Sequence, residues 1–155
     1  MTSYGLRVGA QLALSSDKKV IEEFEKANSY SCRSTWSNIS RGGMKMFSDI
    51  MLDEEKSKML KKEREIYRLL IKERAEIFLK EAEECNLKVL PYKTGFFLTI
   101  PTGKLTDKVA EELEKENIYT VVLDEGIRIA VCSVPKKKII GLARRIKKAV
   151  EEASK

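Results

Sequence analysis

The feature that most constrains this chain is the stretch from Asp53 to Asn86, which runs without one proline or glycine. Ile66, Leu70 and Ile77 share a stripe, flanked by Tyr67, Ile71, Phe78, Ala82 and Cys85, while Glu, Lys and Arg fill the other faces. Apolar residues three and four apart, with strong helix formers between them, predict one long amphipathic helix, or two with a bend. A coiled coil stays open, although the stripe is not a sustained heptad. The helix separates two parts of different character. Met1 to about Met51 looks like a fragment of a bigger layered sheet domain, and about Asp53 to Lys155 looks self-sufficient.

Ahead of the helix, Leu6 to Leu14 is short, mostly apolar and bounded by glycine and serine, which predicts a buried strand. A strand apolar on both faces wants sheet neighbours and covering helices, and the chain offers few nearby. Such a strand is expected to fray or to pair with a second copy. Ser15-Ser16-Asp17 marks a helix start, with Val20, Ile21 and Phe24 following at helical spacing. Tyr30 to Asn38 is polar and rich in serine, which predicts loop. Gly42-Gly43 leads into Met44, Phe47, Ile50 and Met51, again at helical spacing.

Beyond the helix the grammar changes. Lys88 to Ile100 holds two short extended runs, Val89 to Tyr92 and Phe96 to Ile100, before the turn signal Pro101-Thr102-Gly103. Thr106 is placed to cap a helix whose core side is Leu105, Val109 and Leu113. Ile118 to Leu123 and Ile127 to Val134 read as strands joined at Asp124-Glu125-Gly126, a hairpin. Pro135 suits the first turn of a last helix lined by Ile139, Leu142, Ala143, Ile146 and Val150. The predicted class is α/β, with a short sheet packed by helices.

Composition excludes several chemistries. There is no histidine, so Ser-His and Cys-His catalysis and imidazole metal sites are ruled out. Cys32, Cys85 and Cys132 are odd in number and widely spaced, which argues for a reducing cytoplasm and against a disulfide framework or a zinc site. No metal site is expected. The N-terminus shows no secretory pattern, and no apolar run approaches a membrane span. The net charge of +6 is modest and comes largely from Lys136 to Lys138 and Arg144 to Lys148, which suits a solvated helix face better than a nucleic-acid or lipid patch.

Three arginines are the candidates for chemistry. Arg7 lies in Tyr4-Gly5-Leu6-Arg7-Val8-Gly9, where flanking glycines let backbone approach a ligand and the guanidinium offers paired donors for phosphate oxygens. Alone, the motif is weak, and an arginine at a strand start closing a surface ion pair is the favoured reading. Arg128 lies in Gly126-Ile127-Arg128-Ile129-Ala130-Val131. Strand alternation puts Ile127, Ile129 and Val131 on one face and Arg128, Ala130 and Cys132 on the other, leaving room beside Arg128 for a carboxylate. An edge arginine reaching solvent is the bland alternative. Arg33 precedes Ser34-Thr35-Trp36-Ser37-Asn38, whose tryptophan, the only one, would serve as an ordinary anchor between elements.

Taken in order, these segments resemble the C-terminal portion of class I/II, fold type I aminotransferases of the aspartate and aromatic type, which use pyridoxal 5'-phosphate. The Arg7 block resembles the segment after the cofactor-binding lysine, which in that family sits in S-x-x-K eight positions before the arginine and would fall just before Met1. Arg33 with Trp36-Ser37-Asn38 resembles a dimer-interface segment, and the long helix resembles the one joining the large and small domains. Gly95-Phe96-Phe97 and Gly126 to Ala130 resemble small-domain strands. The resemblance implies that Arg7 binds the cofactor phosphate, Arg128 the substrate α-carboxylate, and Arg33 a side-chain carboxylate across the dimer.

It also implies a division into the end of the large, cofactor-binding domain (1–52), a connecting helix (53–86) and a small domain (87–155). Expected partners are an amino acid, a 2-oxo acid and a second subunit, in the cytoplasm, with neither nucleic acid nor membrane. With the lysine outside the chain, the chain alone is expected to be inactive and to hold no catalytic residue. Where the family carries S-N-P-P this chain has Ser37-Asn38-Ile39-Ser40, so aspartate, aromatic and other amino donors stay open. Two rivals come from other classes. One is a stand-alone α/β binding or regulatory module with a basic face. The other is an RNA-binding domain using Phe96, Phe97 and the Lys136 to Lys148 surface, although no RNP signature is present.

Overall fold

The computed structural model describes residues 4–155, which fall into two compact units, one ending at Arg64 and the other running Glu65–Lys155. In the first unit a short 3-10 turn, Tyr4–Leu6, precedes an irregular segment and two helices, α1 (Lys18–Thr35) and α2 (Arg41–Met51). A third helix, α3 (Glu54–Glu84), starts in the first unit and continues into the second.

Each of these helices starts on a side-chain cap. Asp17 accepts from the Lys19 N–H at 2.8 Å, Ser40 from the Gly43 N–H at 3.2 Å, and Asp53 from the Lys56 N–H at 3.0 Å. That backbone bond, with the Lys56 ammonium, holds the Asp53 carboxyl below its ordinary range. The long helix is a single run of 31 residues, about 46 Å at the usual rise. Its fully buried side chains are Ala75, Phe78 and Ala82, whereas Ile66 is 66% exposed. The predicted stripe therefore meets the core along its flank and only in its second half.

Two expectations for the first unit are corrected. Residues 7–15 form no strand, and Leu12 and Leu14 lie exposed. An extended segment needs a ladder partner for its backbone groups, and the described part of this unit is otherwise helical. Residues 30–35 are helical rather than loop, because the polar side chains bond back onto their own helix. The Asn28 amide donates to Phe24 O, and the Ser34 and Thr35 hydroxyls both donate to Ser31 O. Trp36 is 75% exposed and anchors nothing among the described residues.

The second unit is a three-stranded antiparallel sheet backed by helices. Strand β1 (Phe97–Pro101), helix α4 (Thr106–Lys115), strands β2 (Val121–Leu123) and β3 (Gly126–Ala130), and helices α5 (Lys136–Ile139) and α6 (Leu142–Ala153) follow in order. The sheet order is β1-β3-β2, with Leu98 opposite Ile129, Ile100 opposite Ile127, and Leu123 opposite Gly126 across the expected hairpin. Leu98, Ile100, Ile127 and Ile129 form one core with Phe78 of α3, Val109 and Leu113 of α4, and Ile146 of α6. The opposite face, with Phe97, Thr99, Arg128, Ala130 and Val121, carries none of that core.

Smaller departures have local causes. The run Val89 to Tyr92 forms no strand and makes one cross-bond, from the Leu90 N–H to Thr99 O at 2.9 Å, because Pro91 has no donor to continue it. Thr106 is the first residue of α4 rather than its cap, and its hydroxyl donates to Gly103 O at 2.6 Å. Strand β3 ends at Ala130, since the chain turns at residues 131–134. The last helix is broken into two, with Ile140 extended and Gly141 at φ 82°. Pro135 caps the first piece. Both Glu81 oxygens accept from the Gly141 N–H at 2.8 Å, so α3 supplies the cap that α6 lacks locally.

Phe78 has no exposure, and Phe78→Ala is expected to cost about 3–5 kcal/mol, read as a lower urea midpoint, while Ile66→Ala stays within about 0.5 kcal/mol. A second expectation concerns pH. The Arg145 guanidinium bonds Glu116 at 2.8 Å and, foremost by that bond, holds its carboxyl below the ordinary value of 4.5. A depressed folded value means stabilisation that is present above the unfolded value and fades as pH falls through the folded one. The stability profiles of the native chain and of Glu116→Gln should therefore differ above pH 4.5 and converge below it.

Candidate functional site

Arg128 sits in the middle of the central strand, opposite Thr99 on β1 and Val121 on β2. Its position follows from alternation. Ile127 and Ile129 are buried on the core face at 0% and 4%, which sends residue 128 to the other side. Gly126, two residues earlier, lies so close to β1 that a Cβ there would stand 2.7 Å from Ile100 O. Only a glycine allows this approach, and it pins β3 against β1 beside the arginine.

The electrostatics of Arg128 are unusual for a half-buried cation. Its Nε is buried and has no hydrogen-bond partner, and among the described residues the side chain makes no ion pair. Its guanidinium carbon lies 4.4 Å from the centroid of the Phe97 ring. A guanidinium on an uncovered sheet face, without a hydrogen bond or ion pair among the described residues, has terminal donors to offer an anion. A carboxylate, with two oxygens and a negative charge, fits that donor set.

A second arginine of this unit is already committed. Arg74 of α3 reaches the end of β3, donating through Nη1 to Cys132 O at 2.9 Å and Val131 O at 3.4 Å. It satisfies carbonyls that the turn after β3 leaves unpaired. The basic run is likewise engaged. Lys136 pairs with Glu73, Arg144 with Glu84, Arg145 and Lys148 with Glu116, and Lys147 with Glu151. Those pairs favour the solvated-face reading of this surface.

In the first unit, Arg7 is exposed and takes φ 50°, the left-handed region that residues with a Cβ seldom occupy. Its neighbours Leu6 and Val8 rest on α2 at Gly43. A Cβ there would meet Val8 Cγ2 at 2.6 Å, so the glycine is what admits the segment. Arg33 lies in the last turn of α1, where its Nη1 donates to Ser37 Oγ at 2.7 Å. Arg7 and Arg33 thus belong to the first unit and Arg128 to the second. The sequence reading missed Phe97 as the neighbour of Arg128 and Gly43 as the seat of the Arg7 segment. Alternation alone puts Phe97 on the right face once the β1-β3 register is known, but that register is not written in either strand.

No helix among the described residues is long and apolar enough to cross a membrane. No curated protein sequence matches the chain. Among solved structures it is similar to an aminotransferase from Anaerococcus prevotii DSM 20548, with 38% identity and a TM-score of 0.90, covering 97% of this chain and 36% of that one. This chain therefore spans well under half the length of that relative. The model of the aminotransferase class I and II family matches residues 1–146. With a family match over nearly its whole length and the same fold in a solved aminotransferase, the chain belongs to the class I and II aminotransferases.

Proposed function

We propose that this chain forms the part of a pyridoxal-phosphate-dependent aminotransferase that grips the substrate carboxylate and the cofactor phosphate, moving an amino group between an amino acid and a 2-oxo acid. The observation that carries the reading is Arg128, a half-buried guanidinium on an uncovered sheet face that makes no hydrogen bond or ion pair among the described residues. It holds the substrate α-carboxylate with paired N–H donors and so fixes the orientation of the reacting carbon. Arg7 holds the cofactor phosphate. Planar paired donors suit that dianion, and its left-handed backbone, seated through Leu6 and Val8 on Gly43, supports a built position. When bound, the cofactor supplies the electron sink of the reaction.

Arg33 is the less committed member of the set. Its bond to Ser37 is exposed and easily exchanged, so it is free to serve a side-chain carboxylate, and aspartate, aromatic and other donors stay equal candidates. We assign residues 1–52 to the end of the cofactor-binding domain, 53–86 to the connecting helix and 87–155 to the small domain. The working enzyme is a homodimer in the cytoplasm. The chain alone transfers no amino group, because the cofactor-binding lysine expected eight positions before Arg7 lies outside it.

The test has two halves. Borohydride reduction of the chain with pyridoxal phosphate should leave no single lysine stoichiometrically labelled, as read by peptide mass mapping. Stoichiometric labelling at one site would refute the claim of inactivity. Co-expressed with a polypeptide carrying the family's cofactor-lysine portion, the chain should gain transaminase activity. There Arg128→Gln should cost about 2–5 kcal/mol in kcat/KM, the usual loss when one member of a desolvated charge pair is removed. Equal activity with and without Arg128 would point to the binding-module alternative.

A further inference from the structure

We propose that Phe97 is a positioning residue for Arg128, holding its guanidinium by a π face instead of by a counter-ion. The inference rests on the reading of Arg128 as the carboxylate clamp. Phe97 opens β1 opposite Ala130, and Arg128 is opposite Thr99, so the two side chains are diagonal neighbours on one sheet face. The guanidinium carbon lies 4.4 Å from the ring centroid, within the range of cation–π attraction.

An anion-binding arginine poses a problem that the ring solves. An arginine free of contacts samples many rotamers, and freezing it on binding costs affinity. The common remedy, a neighbouring Asp or Glu, would occupy the same N–H donors and cancel the same charge that the ligand needs. The positions opposite Arg128 are Thr99 and Val121, neither of them acidic. A phenyl ring attracts the cation through its face and takes up no N–H group. Among the described residues it is the contact that holds the guanidinium, since the side chain makes no hydrogen bond or ion pair. The ring is itself braced. Phe96 meets it edge-to-face, with centroids 6.3 Å apart and planes at 84°. Phe97 is 45% exposed, so its face toward Arg128 is not explained by core packing.

The test uses the full chain, with the Arg128 Nε–H resonance and a titration with pyruvate as carboxylate probe. In the native chain that resonance should show the shift produced by a ring overhead. Phe97→Leu should abolish the shift and weaken pyruvate binding about two- to fivefold, whereas Phe97→Tyr should keep both. An unchanged resonance and affinity in Phe97→Leu, with binding lost in Arg128→Gln, would overturn the positioning role and leave the clamp standing. Undiminished binding in Arg128→Gln would overturn the clamp itself, and with it the purpose assigned to Phe97. Equal losses in Phe97→Leu and Phe97→Tyr would reduce the ring to packing and also overturn the proposal.

Discussion

The candidate carboxylate site depends on the one-sided burial of β3. Ile127, Ile129 and Val131 are drawn into the core of the second unit, and the period of a strand leaves Arg128 no choice of face. A slip of one residue would carry the guanidinium into that core and expose three apolar side chains, so the register is strongly enforced. Gly126 enforces it a second time by sterics, since β1 runs where any Cβ would be. Removing a cation from the core and seating it on the uncovered face are one event, and the apolar residues around it do the work.

The long helix stabilises this arrangement from behind. Phe78, Ala75 and Ala82 enter the core, and charged residues beside them reach to the end of β3 and to the last helices. Arg74 binds the carbonyls that follow β3, Glu81 caps α6 at Gly141, and Glu73 and Glu84 pair with Lys136 and Arg144. The exposed pairs are each worth little, about 0–1 kcal/mol. The Glu81 cap differs in kind, because it satisfies the backbone N–H of the left-handed residue on which α6 begins. Acidic side chains of α3 pair with Lys136 and Arg144, while Glu116 and Glu151 take Arg145, Lys148 and Lys147 of the basic run that composition alone left open to a nucleic-acid reading.

How much was legible in the sequence varied with how local the signal is. The long helix, the hairpin at Asp124-Glu125, the α1 start at Asp17 and the face of Arg128 all follow from spacing or from one cap, and all are present. The failures involve information carried by partners. Leu6 to Leu14 has strand composition, but a strand is made by its neighbours, and the described unit offers helices instead. Residues 30–35 have loop composition, yet their hydroxyls close onto α1 itself. The stripe on α3 was offset because pattern reports which side is apolar, not which stretch finds a core. The family resemblance rested on order and spacing around Arg7 and Arg128 and reached further than the elements did, since it survives the loss of the N-terminal strand.

The energetics of Arg128 support the carboxylate role proposed for it. A buried donor without a partner costs about 1–3 kcal/mol, and the ring of Phe97 returns only part of that at a half-exposed position. Threonine or valine, the residues opposite it on β1 and β2, would suit the strand better and leave no orphan. The second unit therefore carries a local conflict at the centre of its sheet. Conflicts of that kind gather at functional sites, where a group is kept short of partners so that a ligand can supply them. Arg74 is the control within the same unit. It is also half-buried and also has an unpartnered Nε, but it donates to two carbonyls and its task is structural. The difference between the two arginines lies in their terminal nitrogens. Those of Arg74 are spent on the protein through Nη1, and those of Arg128 remain available for a carboxylate.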